Sequence, residues 1–322
     1  MSLSVDIIRA LGWSGSDIHR ILATAPARYK VYRVPKRHGA GWRVIAQPSR
    51  ELKAIQRYVL YNKLNGYPIH EAAAAYVGGR NIRANAEKHR SANIILKLDF
   101  RDFFPSIKVK DWEVYARKVP LQGIDPEDIK LYSRIMFWGV QPRSTTPRCL
   151  SIGAPTSPGL SNILLYELDV RLSEEAEKLG ISYTRYADDI TASGATVEAV
   201  LLFEKTAIKA VRALSRPKLT FNEEKRGLYK KGQRRMVTGL ILTPSRQVSI
   251  GRERKRLISA MLHKSSHDLL NLFERSQLKG WLGFSVANEP EFLGRLRAKY
   301  GSHVVDSALS FRAPSRLEMG RL

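Results

Sequence analysis

The stretch Ile94–Asp99 reads IILKLD, and it decides the fold because an apolar run that ends in a carboxylate predicts a buried strand with a polar end. Aspartate is poorly suited to a strand and costly when buried unpaired, so Asp99 is a site candidate. Further along, Ile181–Ser193 reads ISYTRYADDITAS and predicts strand, turn, strand, with Asp188 and Asp189 at the turn. If the two strands are neighbours in one sheet, all three carboxylates project at one edge.

Three clustered carboxylates predict a metal site. Hard oxygen ligands suit Mg²⁺, and two such ions arranged for in-line displacement catalyse phosphoryl transfer; Mn²⁺ could replace them. Each part also has a structural explanation. Asp188-Asp189 could be a solvated turn, and Asp99 could cap the next helix or pair with Lys97.

Net charge indicates a polyanionic partner. The 322 residues include 54 Lys and Arg against 30 Asp and Glu, a formal charge of +24. Such a field repels itself unless something neutralises it, and a phosphate backbone is the usual neutraliser. The segment 205–264 holds 17 of the basic residues and three acids, which favours nucleic-acid contact over a solvated helix face.

The sequence fits poorly with a membrane protein or a disulfide-stabilised protein. No apolar run approaches the roughly 20 residues that span a bilayer, and Met1–Ala10 does not read as a secretory signal. The single cysteine, Cys149, excludes an internal disulfide framework and a cysteine zinc cluster. We therefore expect a cytoplasmic protein.

Strand and helix patterns are mixed without strict alternation, which favours an α+β fold. Strands are predicted at Tyr29–Val34, Trp42–Gln47, Ile94–Phe100 and Val237–Leu242, and one long helix at Pro158–Leu179.

Three ordered motifs resemble reverse transcriptases. Leu98–Phe104 looks like the first palm motif of that family, Tyr186–Asp189 like its second metal motif, and Gly153–Pro158 like the loop that supports template and nucleotide. A YADD sequence by itself would be weak evidence for the family, but three motifs in the same order are a strong signal. The resemblance implies catalytic metal ligands at Asp99, Asp188 and Asp189, with the Phe100 backbone as a further ligand.

The same resemblance assigns nucleotide contacts. Phe104 matches the aromatic residue that excludes a 2′-hydroxyl, although it could be a core residue as Phe103 could. Arg43 resembles the arginine that contacts the triphosphate, or is a surface charge. Lys225 resembles a proposed proton donor to pyrophosphate, and Gly153 with Ala154 would line the nucleotide. Ile152 departs from the family, where glutamine is common, and puts one contact there in doubt.

Shorter elements resemble bacterial retron reverse transcriptases. Asn85–His89 matches their N-A-x-x-H element, Val237–Gly239 their V-T-G element, and Gln47–Lys53 their fingers segment. Each element also has a purely structural explanation. His89, for example, could be a polar residue at a helix end. The resemblance implies RNA binding by Asn85, His89, Val237, Thr238 and Gly239, with Arg234 and Arg235 beside them.

The retron resemblance implies partners and a product. Such enzymes bind a structured noncoding RNA, prime from an RNA 2′-hydroxyl, copy part of that RNA with deoxynucleoside triphosphates, and make a branched RNA–DNA hybrid (msDNA). They serve in anti-phage defence with an effector protein.

The alternatives are a group II intron-like or abortive-infection polymerase, and a catalytically silent RNA-binding relative. The short region after the palm argues against the group II intron-like enzyme, and the N-A-x-x-H and V-T-G elements argue against both polymerases. The intact carboxylates argue against the silent relative.

We expect a right hand with a ferredoxin-like palm. Residues 1–92 form N-terminal helices and fingers, 93–242 the palm with a fingers insertion, and 243–322 a helical thumb that binds RNA or duplex.

Overall fold

The computed structural model describes residues 2–36, 41–119 and 124–312. The chain divides into two compact units, Met1–Arg80 with Ile94–Leu228, and Asn81–Asn93 with Tyr229–Leu322. This division does not follow the predicted boundaries at 92 and 242. Lys36–Gly41, which joins the predicted strands Tyr29–Val34 and Trp42–Gln47, reads as a turn, and most of it, residues 37–40, lies outside the described residues.

Nine strands and fourteen α-helices are described. The strands are β1 (Tyr29–Pro35), β2 (Trp42–Pro48), β3 (Ile94–Asp99), β4 (Ser182–Tyr186), β5 (Asp189–Gly194), β6 (Gly227–Lys230), β7 (Arg235–Val237), β8 (Leu240–Leu242) and β9 (Val248–Ser249). The helices are α1 (Leu3–Leu11), α2 (Gly15–Thr24), α3 (Arg50–Asn62), α4 (Ile82–Glu87), α5 (Phe103–Ser106), α6 (Val109–Lys118), α7 (Ile129–Met136), α8 (Thr156–Leu164), α9 (Tyr166–Lys178), α10 (Val197–Ala213), α11 (Arg252–Ser266), α12 (Leu272–Asn288), α13 (Pro290–Tyr300) and α14 (Ser302–Ser310). Short 3₁₀ turns lie at Ala25–Ala27, Pro126–Asp128 and Glu223–Lys225. The mixture confirms the α+β class.

A sheet with the order β4-β5-β3-β6 forms the centre of the first unit. β5 pairs antiparallel with both neighbours, so the predicted strands at 94–100 and 181–193 are adjacent, as the carboxylate argument required. β3 is buried along most of its length because both of its faces are covered.

One face of this sheet is covered by α9 and α10. The register pairs Tyr183 with Ala192, and the Tyr183 ring lies 5.8 Å from the ring of Phe203 on α10. Successive strand residues point to opposite faces, so Asp189, three positions before Ala192, belongs to the other face. Asp99 pairs with Asp189 and shares that face. The helices and these carboxylates are therefore on opposite sides of the sheet.

The predicted single helix at 158–179 is wrong, because the chain forms two helices, α8 and α9. Leu165 lies between them with φ −98° and ψ 6°, outside helical values. Leu164, Leu165 and Leu168 are all buried, so apolar spacing continues across the break and gave no sign of it.

The second unit combines a small sheet, β7-β8-β9, with α11–α14 and the excursion that carries α4. The predicted strand at 237–242 is a hairpin: Val237 pairs with Leu240 across a two-residue turn. Thr238 and Gly239 have φ of 45° and 83°. A turn with two positive φ values matches the twist of its strands and favours glycine, which explains Gly239. α4 packs against this sheet and α12.

Within the described part of the chain, none of the helices combines the length and apolarity that crossing a membrane requires.

Candidate active site

The predicted carboxylates meet at one end of the β3–β5 pair. Asp99, the last residue of β3, lies directly opposite Asp189, the first residue of β5. Asp188 precedes it in the turn, and its carbonyl accepts a hydrogen bond of 3.1 Å from the Phe100 N–H. The antiparallel register thus places all three aspartates at one edge of the sheet.

A segment later in the chain, from Phe221 to Lys225, packs against this edge of the sheet. The rings of Phe100 and Phe221 stack with centroids 4.8 Å apart, and the Asn222 N–H donates to the Asp99 carbonyl at 2.7 Å. These contacts bring Lys225 to the site, where its Nζ donates to both Asp99 carboxylate oxygens at 2.9 and 2.8 Å. The Lys225 side chain is 54% exposed, so this ion pair is open to water on the lysine side.

The aspartates disfavour each other's charge. Burial, with the carboxylates of Asp188 and Asp99, raises the pKa of Asp189 to about 6, while the Lys97 charge opposes this rise. Burial and the Asp99 charge likewise raise the pKa of Asp188, against the charges of Lys225 and Arg43. Neighbouring carboxylates in a partly buried site are stabilised by a bound cation.

The donor set fits a divalent oxygen-liganded ion, since carboxylate oxygens are what Mg²⁺ and Mn²⁺ prefer. The side chains are not gathered into a finished site: across residues 2–36, 41–119 and 124–312, no group of three or more His, Cys, Asp or Glu is placed to hold a metal ion. Asp99 instead contacts Lys225. The metal roles of Asp99, Asp188, Asp189 and the Phe100 backbone stay predictions.

A buried ion pair fixes the turn that carries Asp188. The Arg185 guanidinium donates to both carboxylate oxygens of Asp169 at 2.9 and 2.5 Å, and both side chains are fully buried. Its third nitrogen donates to the Ala187 carbonyl and to Asn162 Oδ1, each at 3.1 Å.

Ala187 has φ 59°, a left-handed conformation that costs a non-glycine residue roughly 1–2 kcal/mol. Because Arg185 bonds the carbonyl of this strained residue, it holds the backbone from which Asp188 projects.

Phe104, the candidate residue for nucleotide selection, packs against a stack of aromatic rings. Phe103 is buried, as its core alternative required, and its ring stacks on Phe100 at 5.8 Å. The Phe104 ring lies 5.2 Å from that of Phe103 and is half-buried. The arrangement leaves part of Phe104 accessible beside the aspartate edge.

The Gly153 loop meets the β1–β2 hairpin. The Ala46 N–H donates to the Ile152 carbonyl at 3.0 Å, and a Cβ on Gly153, whose φ is 120°, would meet the Ala46 carbonyl oxygen at 3.1 Å. Glycine is therefore required for this close approach. Ala154 beside it is buried. Arg43 is exposed on β2, and its charge acts on Asp188.

The second unit holds the predicted RNA-binding residues, and four of the seven have buried side chains. These are Asn85, His89, Arg235 and Val237. Alternation along β7 turns Arg235 and Val237 inward, and Arg235 donates to the carbonyls of Ala92 and Thr243. Burial lowers the pKa of His89 to about 3, so its imidazole is neutral near pH 7. The side chains of these four residues are therefore buried in this structure, and their RNA-binding roles stay predictions.

The three other residues are accessible, and two of them, Arg234 and Gly239, line a groove of about 640 Å³ within the second unit. Arg234 is exposed and Thr238 and Gly239 are half-buried. Arg252 and Arg254 also line the groove, which makes it basic. Thr238 Oγ1 donates to the Ile82 carbonyl at 3.1 Å, so the V-T-G turn and the N-A-x-x-H helix are held together.

Two charged residues that support the Asp188 turn were missed by the sequence argument: Arg185 and Asp169. Arg185 had a signal, because a charge inside a strand pattern is rarely buried without a partner. The partner was not visible, since nothing in the sequence links position 169 to position 185.

Comparison with known proteins matches residues 34–279 to the family "Reverse transcriptase (RNA-dependent DNA polymerase)". Retron Ec83 reverse transcriptase of Escherichia coli is 36% identical over 95% of this chain and 97% of its own length. Retron Ec86 reverse transcriptase of the same species is 30% identical over 94% and 92%. Retron Mx162 reverse transcriptase of Myxococcus xanthus is 34% identical over 88% of this chain and 63% of its own.

Among solved structures, telomerase from Candida albicans, with a fragment of telomeric RNA, matches with a TM-score of 0.50 and 13% identity. The match covers 94% of this chain and 58% of the telomerase chain, and at that identity it speaks for the fold alone. The family match over most of the chain and the near full-length similarity to retron enzymes agree with the predicted motifs. This chain belongs to the reverse transcriptases, RNA-directed DNA polymerases, and within them to the bacterial retron type.

Proposed function

We propose that this reverse transcriptase copies part of a structured noncoding RNA into DNA from an RNA 2′-hydroxyl primer, giving branched msDNA. The observation that supports this most is similarity to Retron Ec83 reverse transcriptase over nearly the full length of both chains. By extension from such systems, the product would act with an effector protein in anti-phage defence.

The proposed chemistry is two-metal nucleotidyl transfer at the aspartate edge. Bound Mg²⁺ would activate the attacking hydroxyl and stabilise the departing pyrophosphate. Asp99, Asp188 and Asp189 would hold the ions, and the Arg185 brace would keep the Asp188 backbone in place. The supporting observation is the in-register pairing of Asp99 with Asp189, which raises the pKa of the partly buried Asp189.

Other residues of the site would handle the nucleotide. Arg43 would contact the triphosphate, because a guanidinium suits phosphate geometry. Phe104, half-exposed on its aromatic support, would disfavour a ribose 2′-hydroxyl. Lys225, released from Asp99 when a metal binds, would be free to donate a proton to pyrophosphate; its 54% exposure leaves room for that movement.

To test this, the purified protein is incubated with deoxynucleotides, Mg²⁺ and RNA transcribed from its own locus. The product is then resolved on a denaturing gel before and after ribonuclease treatment. We expect DNA of fixed length that stays joined to a short RNA remnant and is released only by a debranching enzyme. Extension of an ordinary annealed primer without a branched product would refute the 2′-priming. DNA made without template would favour an abortive-infection polymerase.

Asp188→Asn is the matched catalytic variant, because it keeps the shape of the side chain and removes its charge. We expect DNA synthesis to be abolished while affinity for the RNA, measured by filter binding, stays at the wild-type value. Normal synthesis by this variant would show that the metal assignment is wrong.

A further inference from the structure

The outer face of α10 carries a row of basic side chains. Lys205, Lys209 and Arg212 are exposed and line a shallow groove of about 620 Å³ with Ile208 and Ala213. Residues spaced by four and three positions lie on one side of a helix, so the three cations form a stripe.

These cations have no anionic partner among the described residues, where none of the three forms an ion pair or a side-chain hydrogen bond. By contrast, three exposed or half-exposed basic residues of the first unit have acidic partners: Arg226 pairs with Glu204 on α10, Lys118 with Glu167, and Lys178 with Glu175. A row of unneutralised like charges repels itself, and an external polyanion stabilises it.

The spacing fits a polynucleotide backbone. Seven residues of α-helix rise roughly 10.5 Å. A nucleic-acid strand carries one phosphate per roughly 3.4 Å of helix axis, so the stripe matches about three successive phosphates. Few base-reading side chains are present, which suits recognition of RNA helices through shape and phosphates.

The stripe is distinct from the aspartate edge. α10 packs against the sheet face that carries Tyr183 and Ala192, whereas Asp99 and Asp189 belong to the other face. The thickness of the sheet and of α10 lies between them. A duplex being copied at the aspartates therefore cannot be the segment that touches Lys205, Lys209 and Arg212.

We propose that the α10 stripe binds the phosphate backbone of an RNA stem that lies outside the copied duplex. The assignment to RNA rests on the proposed function, in which the template is a structured RNA whose stems remain uncopied. The stripe would hold such a stem against the first unit while the adjoining segment is copied.

The test compares two triple variants of equal charge. Lys205→Gln/Lys209→Gln/Arg212→Gln removes the stripe. Arg20→Gln/Lys118→Gln/Lys178→Gln removes three exposed cations that already have acidic partners. Affinity is measured over a range of salt for two probes, a short primer–template duplex and the same duplex extended by an RNA stem-loop.

We expect the stripe variant to bind the extended probe more weakly and to lower the slope of log affinity against log salt by about 2–3, since each lost phosphate contact removes about 0.9. Its affinity for the short probe and its extension of that primer should equal wild type. The control variant should match wild type on both probes.

Equal binding of the extended probe by both triple variants would overturn the proposal, and so would an equal loss on both probes by the stripe variant. Binding is measured without deoxynucleotides, so the result stands apart from the branched-product assay. If the branched product were absent but the stripe variant still bound the extended probe more weakly, only the proposed priming from a 2′-hydroxyl would be refuted.

Discussion

Two ion pairs of the first unit, Arg185–Asp169 and Lys225–Asp99, lie by the same aspartate edge and differ in their access to water. Arg185 and Asp169 are both fully buried, and Asp169 also accepts a hydrogen bond from the Tyr183 hydroxyl at 2.7 Å. Lys225 is 54% exposed, and its partner Asp99 is 9% exposed. The first pair is closed on all sides, whereas the second is open on one.

The difference separates a permanent partner from a replaceable one. Breaking a buried pair leaves an uncompensated charge without water, so Arg185 cannot leave Asp169 at low cost. A half-exposed lysine is hydrated when it leaves, so another cation can take its place at Asp99. The closed pair thus fixes geometry, and the open pair leaves Asp99, a proposed metal ligand, with a partner that another cation could replace.

The largest expected effect is on the closed pair. Arg185→Met should lower the free energy of unfolding by about 3–5 kcal/mol, because Asp169 remains buried and unpaired. Urea denaturation measures this. Arg171→Met, which changes an exposed arginine on α9, is the control and should lie within about 0.5 kcal/mol of wild type.

Adding Asp169→Leu to Arg185→Met sharpens the result. The apolar pair should recover much of the stability. Primer extension should stay impaired, since nothing then bonds the Ala187 carbonyl. Full recovery of activity would mean that the pair only stabilises the fold.

The open pair should respond in the reverse sense. Lys225→Gln should change the free energy of unfolding by less than about 1 kcal/mol, as expected for a solvent-screened pair. Primer extension should fall by about 100-fold if Lys225 acts as a general acid. A loss of stability as large as that of Arg185→Met would remove the distinction between the pairs.

Mg²⁺ tests whether Lys225 is replaceable. At ten times its dissociation constant the ion should stabilise the wild-type protein by about 1.4 kcal/mol, seen as a rise in Tm. The rise should be larger in Lys225→Gln, where no ammonium competes for Asp99, and absent in Asp99→Asn. Equal shifts in wild type and Lys225→Gln would show that lysine and metal do not compete.

The smallest effect concerns the strain under the closed pair. Ala187→Gly should raise the free energy of unfolding by up to about 1 kcal/mol, because glycine adopts a φ of 59° without steric cost. Thermal unfolding in the absence of metal measures this. Ala192→Gly, in the same hairpin at negative φ, should be destabilising; equal losses in both variants would argue against stored strain.

Sequence predicted the parts of the site that depend on local pattern. The apolar run ending at Asp99 and the alternation around Asp188 and Asp189 fixed both strands, and their pairing followed from the chemistry the carboxylates share. The Arg185–Asp169 pair was not predicted, because nothing in the sequence links these two positions. The pair is a contact between a helix and a strand, and the spacing of residues along the sequence does not encode such a contact.

The retron elements show the same limit. The retron resemblance implied RNA contacts for Asn85, His89 and Val237, and the structure buries all three side chains. The V-T-G element is a turn with two positive φ values, which favour the glycine at its second position, so part of the motif is explained by backbone geometry. A motif identifies a location, while burial decides which of its atoms can reach a ligand.

The division of the chain has a consequence for synthesis on the ribosome. Segment 81–93 belongs to the second unit, but the rest of that unit begins at Tyr229. At roughly 5–20 residues per second, about 7–27 s pass between these two points. Throughout that interval the sheet that will cover α4 does not exist, so this helix emerges early and folds late. A fragment starting at Tyr229 would lack α4 and leave that surface of its sheet uncovered.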